Sequence, residues 1–233
     1  MRYISIDIET TGIDPDFSQI LSIGAIIEDT EKKLPFKELP KFHAAISRKN
    51  INGEAFAINM NRDLISKIVE YNEAETPEDK TEVEEKYNLK FFPEEEIVQE
   101  FYWWLIANNI TESKIEDPKS LNGILNNFVH NHPVYGMVPV LNRSNPLKAV
   151  ITAAGKNFST FDKLFLEKLP RWKQVIKIRS RVIDPGILFV DWKNDDAPPG
   201  LSTCKERAGL DKNVSHDALE DAWDVINLLR KTY

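Results

Sequence analysis

The chain has 233 residues, 42% of them hydrophobic, a formal net charge of −7 and one cysteine. That length and apolar content suffice for a substantial core, and the lone Cys204 excludes an intrachain disulfide, as expected of a protein from a reducing compartment. The opening Met1-Arg2-Tyr3-Ile4-Ser5-Ile6-Asp7 lacks the apolar core of a signal peptide, and no later run has the length of a membrane span, so the expectation is a cytoplasmic protein without a membrane partner. The net charge at first argues against a phosphate-rich ligand. Its distribution reverses that argument: residues 73 to 96 hold ten acidic side chains against Lys80, Lys86 and Lys90, which accounts for the whole excess. Residues 168 to 181 are locally basic (Lys168, Arg171, Lys173, Lys177, Arg179, Arg181, around Trp172). Both a phosphate-binding strip and a set of solvated cations fit that segment.

Residues 2 to 9 alternate, with Ile4, Ile6 and Ile8 on one face and Tyr3, Ser5, Asp7 and Glu9 on the other, the period of a strand. Further strands are predicted over 19–29 and 41–48, and the short connections favour an antiparallel meander. The acidic stretch 71–95 shows no apolar period and contains the turn signal Thr76-Pro77-Glu78-Asp79; it reads as an inserted, solvated excursion. A helix over 94–109 follows Pro93, with Ile97, Phe101, Trp104 and Leu105 as a core-facing stripe. Residues 110–147 read as a second insertion with at most one short helix near 121–128, and His130-Asn131-His132 as loop. A buried strand over 148–154, a helix from Thr160 to Leu169, a strand over 180–184 ending at Asp184-Pro185-Gly186, and helices over 201–207 and 215–231 complete the chain. Three early strands followed by strands interleaved with helices predict one α/β domain over 1–233, with a mixed central β-sheet flanked by helices.

Three segments carry candidate chemistry. Asp7 and Glu9 project side by side from one strand face, an arrangement that costs desolvation and repulsion unless a cation bridges them or the face is open to water. On these two residues alone an exposed edge strand, where alternating charges are commonplace, is the favoured account. Asp162 lies in the first turn of its helix, in phase with Phe165, Leu166 and Leu169, where an acid also meets the helix dipole favourably. The last helix has Ser215 as a plausible N-cap and the stripe Ala218, Ala222, Val225, Ile226 and Leu229, with Asp221 beside the stripe and His216 at the helix entrance.

In order, Asp7-Ile8-Glu9-Thr10-Thr11-Gly12, Gly155-Lys156-Asn157-Phe158-Ser159-Thr160-Phe161-Asp162 and His216 through Asp221 resemble the three exonuclease motifs of the DEDD (DnaQ-like) superfamily. A histidine five residues before the last aspartate matches the His subtype, DEDDh; the tyrosine of the other subtype would stand where Asp217 is. Lys156 departs from the histidine that many relatives carry before the asparagine.

The resemblance implies an RNase H-like fold and a metal-dependent 3'-5' exonuclease that releases nucleoside 5'-monophosphates from DNA or RNA. It implies two divalent ions, Mg²⁺ or Mn²⁺, the hard cations that carboxylates suit. One would be held by Asp7, Glu9 and Asp221, the second by Asp7 and Asp162, with His216 as general base. The backbone of Thr10, Thr11 and Gly12 would cradle the terminal nucleotide, with Ile13 beside its base, Asn157 nearby and Phe158 available for stacking. Phe161 reads as core, and Asp184 as a strand-end or turn residue. The implied partner is a nucleic acid with a free 3' end, single-stranded; a homodimer or a polymerase partner stays open. A catalytically silent binding module and an endonucleolytic relative are the alternatives.

Overall fold

The computed structural model describes residues 1–111, 129–139 and 148–233. Strands β1 (Arg2–Thr10), β2 (Ile20–Asp29) and β3 (Lys41–Ile46) form the expected antiparallel meander. Helices α1 (Ala55–Met60), α2 (Arg62–Glu73) and α3 (Pro77–Tyr87) lead to strand β4 (Lys90–Phe92) and helix α4 (Glu94–Ala107). A hairpin of β5 (Val129–His132) and β6 (Gly136–Pro139) follows, then β7 (Ala149–Ile151) and β8 (Ala153–Ala154). Helices α5 (Asp162–Leu166) and α6 (Trp172–Val175) precede β9 (Ile176–Ile178), and a 3-10 turn (Pro185–Phe189) leads to α7 (Leu201–Arg207) and α8 (Ala218–Leu229). The central sheet runs β4-β3-β2-β1-β8, with β8 parallel to β1 and β4 parallel to β3. It is a mixed sheet flanked by helices.

The two faces of β1 decide where everything else goes. Ile4, Ile6 and Ile8 join Ile23, Ala25 and Ile27 of β2 and Phe42, Ala44 and Ile46 of β3 in one cluster covered by α4, α5 and α6. Within it Phe101 lies against Phe42 and Trp172, at ring separations of 5.0 and 5.5 Å, so the aromatic residues of α4 are core. The opposite face carries two separate clusters. Tyr3, Ile26 and Ala154 pack under Ala222, Val225, Ile226 and Leu229 of α8, whereas Ala45 and Phe91 pack under Ile68 of α2 and Val83 of α3. On this face β1 also carries Asp7, half-buried, and Glu9, buried.

Several sequence expectations need correction. The acidic stretch is ordered: Thr76 and Asp79 form a reciprocal capping box that starts α3, so the supposed turn signal is a helix N-terminus. Its apolar side is too thin to show as a period, being little more than Val83, while Leu89 and Phe91 bury the edge strand that follows. Helix α2 was not expected at all. The strand predicted over 148–154 divides at Thr152, β7 pairing with β9 and β8 with β1; the strand predicted over 180–184 is reduced to one bridge, Ala154 to Ile183. His130 to His132 lie in strand β5, not in a loop, and the possible helix near 121–128 lies outside the described residues. Among the described residues no helix is long and apolar enough to cross a membrane.

Candidate active site

The site begins with a glycine. In register across the sheet, Asp7 of β1 faces Gly24 of β2, and Gly24 faces His43 of β3. A methyl group on Gly24 would stand 2.2–2.3 Å from the backbone of Ala218 and Leu219, so the missing side chain is what lets the N-terminus of α8 rest directly on β2. That contact delivers the third motif to the first.

The cap of α8 is Asp217 rather than Ser215. Its Oδ1 accepts from the backbone N–H of Leu219 at 3.0 Å and of Glu220 at 3.1 Å, and its Oδ2 lies 3.6 Å from Nε2 of His43. Ser215 is thereby freed to donate its hydroxyl to Oδ1 of Asp221 at 3.3 Å. His216, just before the cap, adopts a left-handed backbone (φ 53°) that turns it outward, and it is exposed. A ring nitrogen of His216 and carboxylate oxygens of Glu9 and Asp221 all lie within 4.8 Å of one another.

The second motif arrives from the other side of β1. Asp162, the first residue of α5, is buried and accepts a hydrogen bond from the backbone N–H of Ile8 at 3.2 Å. Four carboxylates from three parts of the chain thus converge at the C-terminal half of β1. None of the four forms an ion pair among the described residues.

The electrostatic consequence is uniform. Burial raises the pKa of Asp7 well above the carboxylate range, and the charges of Asp162, Asp221 and Glu9 push it further. Glu9 is raised to about 8 by burial and by Asp221, against a hydrogen bond from Asn61. Asp162 is raised to about 7 by burial, and Asp221 to about 6 by burial and by Asp224. Such a cluster gains stability from bound positive charge. Oxygen donors with one imidazole at the rim fit hard divalent ions, so the residues present suit the metals that the motifs imply.

The expected substrate residues divide. The side chains of Thr10 and Thr11 are buried and spent internally, Thr10 donating to the carbonyl of Gly12 and Thr11 accepting from the N–H of Gln19. Ile13 projects into solvent, 75% exposed, while its N–H is held by Glu54 at 3.0 Å. Asn157 is exposed and also left-handed (φ 60°), its N–H bound by Asp184. Phe158 corrects the expectation: it is completely buried in the core and presents no face to a base. Lys156 spends its charge on Asp184, at 3.6 Å, and on the side chain of Asn157. Asp184 caps the 3-10 turn, the turn role expected of it.

Sequence reading missed Gly24, Asn61, Glu54 and Asp217. Asn61, between α1 and α2, is buried and donates to the carbonyls of Thr10 and Ala57, which ties the α1–α2 corner to the end of β1. Gly24, alone in an isoleucine-rich strand, was the legible signal among these.

The fold is an α/β architecture of RNase H-like type, with the carboxylate cluster at the end of its first strand. No protein-family profile matches the sequence, and no curated protein is similar enough to match it. Solved structures do match. The nuclease domain of 3'hExo, described as a DEDDh family member bound to rAMP, aligns over 99% of this chain and 90% of its own, with TM-score 0.54 and 11% identity. The 3'-exonuclease in complex with a histone mRNA stem-loop aligns over 99% and 80%, with TM-score 0.51 and 11% identity. E. coli exonuclease I with a dT13 oligonucleotide aligns over all of this chain, with TM-score 0.53 and 12% identity; the chain spans 41% of that protein's length. The fold is therefore that of 3'-5' exonucleases.

Proposed function

We propose that the protein is a member of the DEDDh branch and acts as a metal-dependent 3'-5' exonuclease, releasing nucleoside 5'-monophosphates from single-stranded DNA or RNA. The observation that carries the reading is the convergence of Asp7, Glu9, Asp162 and Asp221, mutually repelling and without an ion pair among the described residues, with His216 at the rim. The match to nucleases of the same fold supports it.

In this reading Asp7, Glu9 and Asp221 would hold one divalent ion, and Asp7 with Asp162 would hold a second. Bound there, the ions supply positive charge for the scissile phosphate and acidify water. The chain's own residues do the rest. His216, exposed at the helix entrance, accepts the proton of the attacking water. The backbone from Thr10 to Gly12 faces the terminal nucleotide, and Ile13, rigidly presented by its bond to Glu54, lies beside the base. Asn157, fixed by Asp184 and Lys156, contacts the sugar-phosphate. Asn61 and Asp217 position Glu9 and α8. A cytoplasmic setting and assembly as a homodimer or with a polymerase are part of the same proposal.

A 3'-labelled single strand, offered as matched DNA and RNA with Mg²⁺ or Mn²⁺, is the direct test. Labelled mononucleotide should appear first, only with metal, and a closed circle should resist. Cleavage of the circle would make the protein an endonuclease, and binding of every substrate without turnover would make it a silent module.

A further inference from the structure

The basic segment after α5 is not uniform. Lys163 and Lys173 pair with Glu167, and Lys168 pairs with Asp16. Lys177, Arg179 and Arg181 are exposed, and none of them forms an ion pair among the described residues. No acidic residue occurs from 168 to 183, in a chain whose net charge is −7.

Ile176, Ile178 and Val182 pack into the core of α4, α5 and α6, and the intervening Lys177, Arg179 and Arg181 are exposed away from that core. Ile183 packs on the side opposite that core, with α8. Asp7 and Glu9 face the same side of the sheet, since Tyr3 of their strand packs with α8 as well. Only Lys177 lies within β9; Arg179 follows its end and Arg181 lies beyond the bend at Ser180, so the three cations share one short exposed stretch that ends at the Ala154–Ile183 bridge. The row also has a direction. β9 runs parallel to β7, β8 runs parallel to β1, and the segment ends where Ile183 accepts from the N–H of Gly155 and Asp184 accepts from the N–H of Asn157. It leads to the loop that carries Asn157, at the edge of the carboxylate cluster.

We infer that Lys177, Arg179 and Arg181 form a phosphate rail for the 5' portion of a single-stranded nucleic acid whose 3' end lies at the carboxylate cluster. The inference rests on the nuclease reading for the polarity of the strand. It makes long strands better substrates than dinucleotides. The competing explanation is that the charges merely prevent edge-to-edge pairing of β9, a common use of basic residues on edge strands.

The test is the triple substitution K177Q/R179Q/R181Q in the full chain, with the charge-preserving K177R/R179K/R181K as control for folding. Each phosphate contact contributes about 0.7 to the slope of log affinity against log salt for single strands. Binding of a phosphorothioate 12-mer, read by fluorescence anisotropy, should lose about 2 from that slope in the neutralised protein and weaken about tenfold at low salt. The ratio of kcat/KM for a 12-mer to that for a dinucleotide should fall by a similar factor, and the control should match the parent. An unchanged slope and ratio in a folded neutralised protein overturn the rail. If the parent cleaves nothing yet shows the length- and salt-dependent binding that the neutralised protein loses, the rail stands and the nuclease reading falls.

Discussion

Two acidic regions of this molecule differ in everything except charge. Around α3, carboxylates lie in solvent and find cations: Lys86 reaches Glu70 at 2.7 Å, Lys90 reaches Glu84 at 2.6 Å, and hydrogen bonds from Lys86 and Tyr87 lower the pKa of Glu70. At the end of β1, four carboxylates are held together with no ion pair among the described residues, and the pKa of every one of them is raised. The first region explains the acidity of the protein, the second is where the proposed chemistry would take place. Burial without an ion pair among the described residues, not density of acid, marks the site.

The contrast is sharpest if one carboxylate is removed from each region. Asp7→Asn should lower cleavage by about 1,000-fold or more, as for removal of one member of a catalytic unit, without loss of metal-free stability, because it relieves repulsion. Glu82→Gln on α3 should leave the rate within about twofold. Equal losses of activity from the two would erase the distinction. His216→Gln comes next: kcat should fall by about 100- to 10,000-fold, the worth of a general base, with little change in metal affinity measured by calorimetry. A parallel loss of metal binding would make His216 a ligand instead.

Gly24→Ala tests how the two halves of the cluster are joined. Its methyl group has no room under α8, so thermal unfolding should show a loss of roughly 1–3 kcal/mol, and activity should fall with it as His216 and Asp221 shift away from Glu9. An active, equally stable variant would show that the close approach of α8 is dispensable.

The smallest effect is a slope. Each cluster carboxyl holds its proton more tightly in the folded chain than in the unfolded one, so metal-free folding takes up protons. Stability should therefore decline as pH rises from about 4, the ordinary carboxylate range, through about 6 for Asp221, about 7 for Asp162 and about 8 for Glu9. Added Mg²⁺ should flatten that decline, and metal binding should release protons near neutral pH. A metal-free melting temperature that rises across this range would contradict the raised values.

Much of this was legible in the sequence where the signal was local. Alternation placed Asp7 and Glu9 on one face of β1, helical phase placed Asp162 and Asp221 beside apolar stripes, and motif order suggested that they meet. The meander and the helical span of α4 followed from periodicity for the same reason. Where contacts are thin or long-range, local pattern failed. Helix α3 touches the core through little more than Val83 and left no period, and the break at Thr152 that hands the chain from β9 to β1 depends on which strand each half pairs with.

The sequence by itself determined which residues could carry the chemistry, because residue type and period are properties of the chain. Only the tertiary structure decided which of them have room and partners. It buried Phe158, gave the cap of α8 to Asp217, brought Asn61 against the end of β1, and set α8 on Gly24 so that Asp221 and His216 reach Glu9. Those outcomes depend on packing between segments far apart in the chain, where no local pattern extends.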